Sequence, residues 1–280
     1  MILTEPVWFI TGASSGLGRA VAEAVLERGW RAAVTSRNPK AVAALASRYG
    51  ERALALQLDV TDNASIDKAV SAAEARFGAI DVLVNNAGYG YLAAIEEGDD
   101  KEIRDQFETN VFGLVSVTKR VLPGLRARSR GHIFTISSLG GLVAFAATGY
   151  YHATKFAVEA LSESLAHEVG TLGIKVTIVE PGAFRTDWAG RSMIESKTVI
   201  DDYSETAGQR RKATRAVSGK QPGDPARAAA AIIAAFEAGD APLRLLLGVS
   251  ALKIARERLD ALRANFDAWA ETTVSADFPG

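Results

Sequence analysis

Short runs of apolar, β-branched residues alternate along the chain with longer stretches in which apolar residues recur every three or four positions. The short runs predict buried strands, and the longer stretches predict amphipathic helices. Predicted strands cover residues 7–11, 31–36, 53–60, 81–88, 132–138, 174–182 and 243–248. Predicted helices cover 17–27, 39–50, 62–78, 100–107, 110–127, 151–169, 225–237 and 252–270. Strands that are apolar almost throughout are typical of a parallel sheet with helices on both faces.

No linker or internal repeat divides this pattern, so we predict one doubly wound α/β domain over residues 1–280. The segment 183–221 is polar and irregular in pattern, and we expect it to be a mobile lid over the substrate. Residues 249–280 are expected to form a C-terminal helical extension. Ligands of such sheets bind beyond the carboxyl ends of the strands, and the chemistry is expected there.

Composition excludes several classes of site. The chain has 280 residues, a formal charge of −1 and no cysteine, so disulfides, thiolate catalysis and cysteine metal sites are excluded. Three scattered histidines give no reason to predict a metal site. The near-neutral charge predicts neither a nucleic-acid nor a membrane partner. Because the amino terminus lacks a signal pattern and the apolar run 228–236 is too short to cross a bilayer, we expect a soluble, cytoplasmic protein.

A glycine-rich turn connects the first predicted strand to the first helix. Its sequence, TGASSGLG at 11–18, places Gly12, Gly16 and Gly18 in a G-x-x-x-G-x-G pattern. Glycines permit a tight turn and a close backbone approach, and a helix amino terminus offers unpaired N–H groups to a phosphate. Directly after the first strand of a βαβ unit, this pattern indicates a nucleotide-binding turn.

A tyrosine and a lysine four positions apart, Tyr151 and Lys155, would stack on one face of the predicted helix 151–169. A cation beside a phenol favours the phenolate, so Lys155 is expected to lower the pKa of Tyr151. Tyr150 has Thr154 rather than a lysine four positions later. We therefore assign the chemistry to Tyr151, and packing or substrate contact to Tyr150.

These motifs occur together with NNAG at 85–88, Asn110, Ser138 and Pro181-Gly182. In this order and spacing they resemble the short-chain dehydrogenase/reductase family, over nearly all of residues 7–250. The resemblance implies a Rossmann-type sheet of seven parallel strands and a nicotinamide cofactor. It also implies hydride transfer between a carbonyl and an alcohol.

The resemblance assigns catalytic roles to Tyr151 as general acid/base and to Lys155, Ser138 and Asn110. Ser138 would donate a hydrogen bond to the substrate oxygen as charge develops there. Ser137 is the alternative, and because strand alternation directs the two side chains oppositely, we favour Ser138. Asn110 resembles the asparagine that holds a water between the lysine and bulk solvent, although a structural role is compatible with the same position.

The cofactor-binding residues that the resemblance implies follow the ends of successive strands. They are Gly12, Ser14, Ser15, Gly16, Leu17, Gly18, Ser36, Arg37, Asp59, Val60, Asn86, Ala87, Gly88, Tyr151, Lys155, Pro181, Gly182, Phe184 and Thr186. Enzymes that use NAD usually hold the ribose hydroxyls with an acid after the second strand, where this chain has TSRN and no carboxylate. The Arg37 guanidinium suits a 2′-phosphate, so we predict NADP(H). NAD(H) stays open, because Ser15 stands where many NADP-preferring relatives carry a basic residue.

An apolar, aromatic wall is expected around the substrate. Its predicted members are Tyr89, Tyr91, Leu92, Leu139, Leu142, Phe145, Tyr150, Trp188 and Met193. Such a wall favours a small hydrophobic ketone or secondary alcohol as substrate. Two other functions stay open, a non-catalytic NAD(P)-binding sensor and an epimerase or dehydratase that retains its cofactor. The helices 110–127 and 151–169 could pair copies into a dimer or tetramer, and a monomer is equally open.

Overall fold

Nine strands are formed in the computed structural model, which describes residues 5–190 and 192–278. They are β1 (Val7–Ile10), β2 (Arg31–Ser36), β3 (Ala53–Gln57), β4 (Val82–Asn85), β5 (Gly90–Leu92), β6 (Gly131–Ile136), β7 (Ile174–Pro181), β8 (Met193–Glu195) and β9 (Arg244–Leu247). Seven of them form one parallel sheet in the order β3-β2-β1-β4-β6-β7-β9. The predicted fold is therefore confirmed, and the strand order reverses between β1 and β4.

Ten α-helices accompany the strands in the described residues. They are α1 (Gly16–Glu27), α2 (Lys40–Tyr49), α3 (Asn63–Phe77), α4 (Asp100–Phe107), α5 (Gly113–Ala127), α6 (Gly149–Val169), α7 (Gln209–Ala216), α8 (Pro225–Glu237), α9 (Val249–Ala268) and α10 (Ala270–Val274). Short polar side chains start several of them, as expected for residues that can accept from free N–H groups. Asp62 accepts from Ala64 N at 2.9 Å, and Asp224 accepts from Ala226 N at 2.8 Å.

Two apolar cores lie on opposite faces of the sheet, because side chains alternate along each strand. Trp8 and Ile10 of β1 face a core that contains residues of α1, α2 and α8. Phe9, between them, faces a second core with residues of α3 and α5. In the first core the indole of Trp8 stacks on Trp30 and Phe134, with ring centroids 5.9 and 5.8 Å apart. The two covered faces leave the carboxyl ends of the strands as the place for a site.

The segment 183–221 is more regular than the sequence indicated. It contains β8 and α7, and β8 pairs in parallel with β5, a short strand that the sequence analysis did not predict and that begins two residues after its predicted strand 81–88. Arg211 of α7 forms a buried ion pair with Glu97, which anchors the segment to the domain. Whether the segment moves as a lid stays a prediction.

Several element ends also differ from the sequence-based expectation. The strands β3 and β4 end at Gln57 and Asn85, three residues earlier than predicted, and the residues that follow them border the cavity described below. Helices α4 and α5 are joined by a π-helical turn at Glu108–Phe112. The helical extension begins at Val249 and is formed by α9 and α10.

Across the part of the chain that is described, no helix combines the length and apolarity needed to cross a membrane.

Candidate active site

A cavity of about 1250 Å³ opens at the carboxyl ends of the parallel strands. Its lining comes from the loops after β1, β2, β3, β4, β6 and β7, together with parts of α6, α7 and α9. Sites for one small ligand usually enclose roughly 300–1,000 Å³, so this cavity can hold a large ligand or two ligands together. In the described residues, no group of three or more His, Asp or Glu is placed to hold a metal ion.

The predicted site residues largely meet in this cavity. All of the predicted cofactor-binding residues line it except Gly18, and of the four predicted catalytic residues only Asn110 does not. Their roles stay predictions, while their common location is a feature of the fold. The two exceptions have structural explanations.

One end of the cavity is formed by the glycine turn and the amino terminus of α1. Gly12 has a φ of +66°, a conformation that favours glycine, and it lets the chain turn directly after β1. No side chain caps α1, because the hydroxyl of Ser15 at the capping position makes no hydrogen bond to the helix. The free N–H groups of the first turn therefore remain available to a phosphate, and no acidic side chain occupies that turn.

Gly18 lies behind the residues that line the cavity, in contact with Asn86 and Gly12. A Cβ at this position would overlap the amide nitrogen of Asn86 and lie 2.6 Å from the carbonyl oxygen of Gly12. That amide, Nδ2, donates to the carbonyl oxygens of Thr11 and Gly12 at 2.9 and 3.0 Å. Gly18 therefore makes room for the side chain that holds the turn, and a contact of Gly18 with a cofactor stays a prediction.

The loop after β2 presents Ser36 and Arg37 to the cavity. Its other two polar residues are engaged elsewhere, because the buried hydroxyl of Thr35 donates to Ile10 O at 3.0 Å and Asn38 accepts from Lys40 N at 3.1 Å. At this end of the cavity the loop thus offers the exposed guanidinium of Arg37 and the hydroxyl of Ser36.

The loop after β3 contributes Asp59 and Val60 to the same end. One oxygen of Asp59, Oδ1, accepts from both the backbone N–H and the hydroxyl of Thr61, at 3.0 and 2.7 Å. The carboxylate is therefore held in a fixed orientation beside the cavity.

Tyr151 and Lys155 lie one turn apart on α6, and both are buried at the cavity wall. The Lys155 ammonium lies 5.7 Å from the centroid of the Tyr151 ring and donates to Ile136 O at 2.8 Å. The backbone carbonyl at the end of β6 therefore fixes the lysine beside the tyrosine.

Burial has the largest effect on the pKa values of Tyr151 and Lys155. It raises the pKa of Tyr151 to about 12, against a smaller lowering by the hydrogen bond with Ser138. It lowers the pKa of Lys155 to about 8, with Glu159 acting in the opposite direction. In the protein alone the net shift of the phenol pKa is upward, because desolvation of the phenolate outweighs the lowering by Ser138. The lowering expected from Lys155 stays a prediction. Tyr151 is a protonated phenol at neutral pH.

Ser138 is the serine that contacts the phenol. Its hydroxyl forms the hydrogen bond with Tyr151 and accepts from Gly140 N at 3.0 Å. Ser137, the alternative, also lines the cavity, but its buried hydroxyl has no hydrogen-bond partner in the described residues. The geometry therefore places Ser138, rather than Ser137, against the Tyr151 phenol, and its catalytic role stays a prediction.

Asn110 lies in the π-helical turn and is buried away from the cavity. Its Oδ1 accepts from Tyr89 N at 3.0 Å, and its Nδ2 donates to Tyr89 O and to Thr154 Oγ1 at 2.9 and 3.1 Å. The side chain thus ties the loop after β4 to α6, one residue before Lys155. These contacts indicate that Asn110 positions the loop and α6, and a direct catalytic role for Asn110 stays a prediction.

The predicted substrate wall is only partly correct. Tyr89, Leu139, Phe145 and Trp188 line the cavity, and the Trp188 ring lies 5.1 Å from that of Tyr151. The other five predicted members, Tyr91, Leu92, Leu142, Tyr150 and Met193, do not line it.

Tyr150 and Tyr91 have partners away from the cavity. The Tyr150 hydroxyl donates to Ile95 O at 2.5 Å, and the Tyr91 hydroxyl accepts from Asp99 N at 3.0 Å. Both tyrosines therefore pack the loops after β4 rather than the cavity wall.

Several cavity residues were missed by the sequence analysis. Those on α6, on the segment after β7, on α7 and on α9 are His152, Ala183, Asp187, Ser192, Ile194, Arg210, Ala213, Thr214, Val217, Gln221, Ser250 and Ile254. Two carboxylates of α4, Glu102 and Asp105, also line the cavity. Four of the missed residues follow helical spacing along α7, at 210, 213, 214 and 217. That spacing was a usable signal, but a face built of Arg, Ala, Thr and Val does not appear as an apolar stripe.

Comparisons with known proteins agree with this geometry. The family model described as short chain dehydrogenase matches residues 6–196. The chain is 41% identical over 271 residues to oxidoreductase BOA17 of Botryotinia fuckeliana, covering 96% of this chain and 98% of that protein. It is 40% identical over 198 residues to a 3-ketodihydrosphingosine reductase of Bacteroides thetaiotaomicron, covering 70% of this chain and 71% of that protein.

A solved structure shares the fold over almost the whole length. A short-chain dehydrogenase from Streptomyces avermitilis superposes with a TM-score of 0.93 and 44% identity, covering 99% of this chain and 100% of that one. The similarity therefore extends through α9, beyond the residues that the family model matches.

Proposed function

The chain belongs to the short-chain dehydrogenase/reductase family of NAD(P)-dependent oxidoreductases, and from that premise we propose that it reduces a hydrophobic ketone with NADPH. One observation carries the proposal: a protonated, buried phenol, Tyr151, is hydrogen bonded to Ser138 and flanked by Lys155 at the wall of a large cavity. At another wall of that cavity, the uncapped amino terminus of α1 suits the phosphates of a dinucleotide.

The side chains at the phenol perform the proton chemistry. When bound, the nicotinamide would supply the hydride that the ketone carbon accepts. Tyr151 donates its proton to the carbonyl oxygen as negative charge develops there, and the Ser138 hydroxyl donates a hydrogen bond to the same oxygen. Because burial keeps the phenol protonated at neutral pH, Tyr151 is in the form that donates a proton during reduction. Lys155, fixed by Ile136 O, would hold the nicotinamide ribose.

The preference for NADP(H) rests on Ser36 and Arg37. They are the polar residues that the loop after β2 presents to the cavity, and no carboxylate stands in that loop to repel a 2′-phosphate. A guanidinium–phosphate hydrogen bond contributes about 1.5–3 kcal/mol. Arg37→Met should therefore reduce the ratio of kcat/KM for NADPH over NADH by about 10- to 100-fold. Lys40→Met, an exposed cation on α2 outside the cavity lining, is the matched control and should leave the ratio unchanged.

The apolar residues around the phenol support a ketone with hydrophobic surface. Leu139, Phe145 and Trp188 line the cavity beside Tyr151. The relative named 3-ketodihydrosphingosine reductase supports the same class, since its name describes reduction of a keto group.

The decisive experiment compares two adjacent tyrosines. Tyr151→Phe should lower kcat for NADPH oxidation, with a panel of hydrophobic ketones, by about 100-fold or more, while NADPH binding persists. Tyr150→Phe removes the same hydroxyl from a residue that bonds to Ile95 outside the cavity, and it should remain active. Activity of Tyr151→Phe close to that of the wild type would refute the proposal. NADPH binding without turnover of any ketone by the wild type would favour the non-catalytic sensor.

We also propose that copies of the chain pair through α5 and α6. Phe112 precedes α5 and Phe156 and Leu161 lie on α6, and all three are exposed, whereas Val117 and Val158 of the same helices are buried in the domain. The exposed aromatic and aliphatic surface is available for a contact between copies. Sedimentation equilibrium of the wild type and of Phe156→Glu tests the pairing, and the variant should be monomeric.

A further inference from the structure

Three arginines of α7 have different environments. Arg211 is buried in an ion pair with Glu97, and Arg215 pairs with Glu195. Arg210 instead lines the cavity, where its guanidinium lies 4.8 Å from the centroid of the Phe145 ring. Among the described residues it forms no ion pair with a carboxylate, so its guanidinium is available to an anion in the cavity.

His152, the residue after Tyr151, presents a hydrogen-bond donor at the same place. Only 5% of its surface is exposed, and it lines the cavity. Its Nδ1 accepts from Phe145 N at 3.0 Å, and because a backbone N–H can only donate, the proton of the neutral imidazole lies on Nε2. That nitrogen has no hydrogen-bond partner in the described residues. Burial, with a contribution from the charge of Arg210, lowers the pKa of His152 to about 4 and keeps the ring neutral.

These groups converge close to the reacting phenol. The His152 ring lies 5.5 Å from the Phe145 ring and 5.7 Å from the Tyr151 ring, measured between centroids. Three elements thus bring together one positive charge, one unpaired N–H and one aromatic surface. A carboxylate is the complement of the charge and the donor, because it accepts charge-assisted hydrogen bonds.

We propose that Arg210 and the Nε2–H of His152 form an anion-binding subsite, and that the substrate is a keto acid whose carboxylate binds there. The short distance from His152 to Tyr151 places the acid group only a few bonds from the carbonyl. The hydrophobic part of the molecule would lie against Leu139 and Trp188. This inference rests on the proposed function for the carbonyl chemistry, but the binding of the anion can be measured without turnover.

Two measurements on the full-length protein test the subsite. The first compares kcat/KM with NADPH for benzoylpropionate, a γ-keto acid, and for its methyl ester. The second measures by calorimetry, with and without NADPH, the binding of phenylbutyrate and of its uncharged amide. Because charge-assisted hydrogen bonds contribute about 1.5–3 kcal/mol, the wild type should prefer the acid by about 10- to 100-fold in both.

Three variants distinguish binding of the carboxylate at the subsite from a general attraction by the positive charges of the protein. Arg210→Met should bring the acid-to-neutral ratio close to one, and Arg210→Lys should restore part of it. Lys212→Met, an exposed cation on the same helix outside the cavity lining, should keep the wild-type ratio. Both positions are exposed, so these variants are expected to fold.

The outcomes distinguish the two proposals. Equal binding of phenylbutyrate and its amide by the wild type, or an unchanged preference in Arg210→Met, overturns the subsite and leaves the oxidoreductase standing if ketones are reduced. A binding preference that Arg210→Met abolishes, without turnover of any ketone, supports the subsite and contradicts the proposed function.

Discussion

The substitution Gly18→Ala tests the finding that this glycine makes room for Asn86 rather than for a ligand. An added methyl group would overlap Asn86 Nδ2 and press on the carbonyl oxygen of Gly12. The amide cannot move without losing its two hydrogen bonds, to Thr11 O and Gly12 O. Since these bonds fix the turn between β1 and α1, both the fold and the cavity wall should be affected.

The expected loss follows from these contacts. Each of the two hydrogen bonds contributes about 0.5–1.5 kcal/mol. Inserting a methyl group into a packed region costs a further 1–3 kcal/mol or so. Gly18→Ala should therefore lower the free energy of unfolding by about 2–6 kcal/mol. It should also weaken NADPH binding by about 10-fold or more, because Gly12 borders the cavity.

Chemical denaturation without ligand gives the free energy of unfolding, and a fluorescence titration gives the Kd for NADPH. Gly170→Ala is the matched control, because Gly170 has a φ of −55° and a Cβ there would meet no atom within 4 Å. The control should be neutral or slightly stabilising. A loss below about 1 kcal/mol in Gly18→Ala, with NADPH binding unchanged, would show that the steric argument is wrong.

Three further predictions concern protonation and charge. Because burial raises the pKa of Tyr151 to about 12, kcat/KM for alcohol oxidation should rise with pH above neutrality while that for ketone reduction stays level; parallel profiles would contradict this. Burial and the neighbouring Glu159 raise the pKa of Glu180 to about 7, so the folded state binds the proton more tightly, and its stabilising effect is lost as pH rises from about 4.5 to 7. Denaturation curves across that range should show the decline in the wild type and a flatter profile in Glu180→Gln. Finally, Arg211→Met leaves Glu97 buried without its partner and should cost about 3–5 kcal/mol of unfolding free energy, which a second substitution, Glu97→Gln, should partly restore.

The sheet and most of the cavity lining were predictable because they depend on local patterns. A buried parallel strand is apolar throughout, and a helix that starts after it begins with a residue such as Asp62 that can accept from free N–H groups. Since parallel strands end at the same edge, residues as distant as Arg37 and Thr186 meet there. Their positions follow from topology alone.

The substrate end was less predictable, because it depends on contacts between distant segments. The pairing of β5 with β8 directs Ile194 to the cavity, while Tyr91 and Leu92 of β5 are buried in the domain. No pattern within 81–92 distinguishes those orientations. The raised pKa of Tyr151 likewise results from burial. Burial of the side chain could not be inferred from the spacing between Tyr151 and Lys155.

The two proposals at the phenol constrain each other. A carboxylate bound close to Tyr151 would raise the phenol pKa further, since a negative charge disfavours the phenolate. A phenol of higher pKa stays protonated, but it is a weaker proton donor for reduction, and its phenolate forms less readily for oxidation. The positive charge of Arg210 offsets the rise in pKa, and because His152 is neutral, Arg210 supplies the charge of the subsite. Removing the guanidinium should therefore shift the pH profile of kcat for oxidation of a hydroxy acid toward higher pH, a change that a subsite affecting binding alone would not produce.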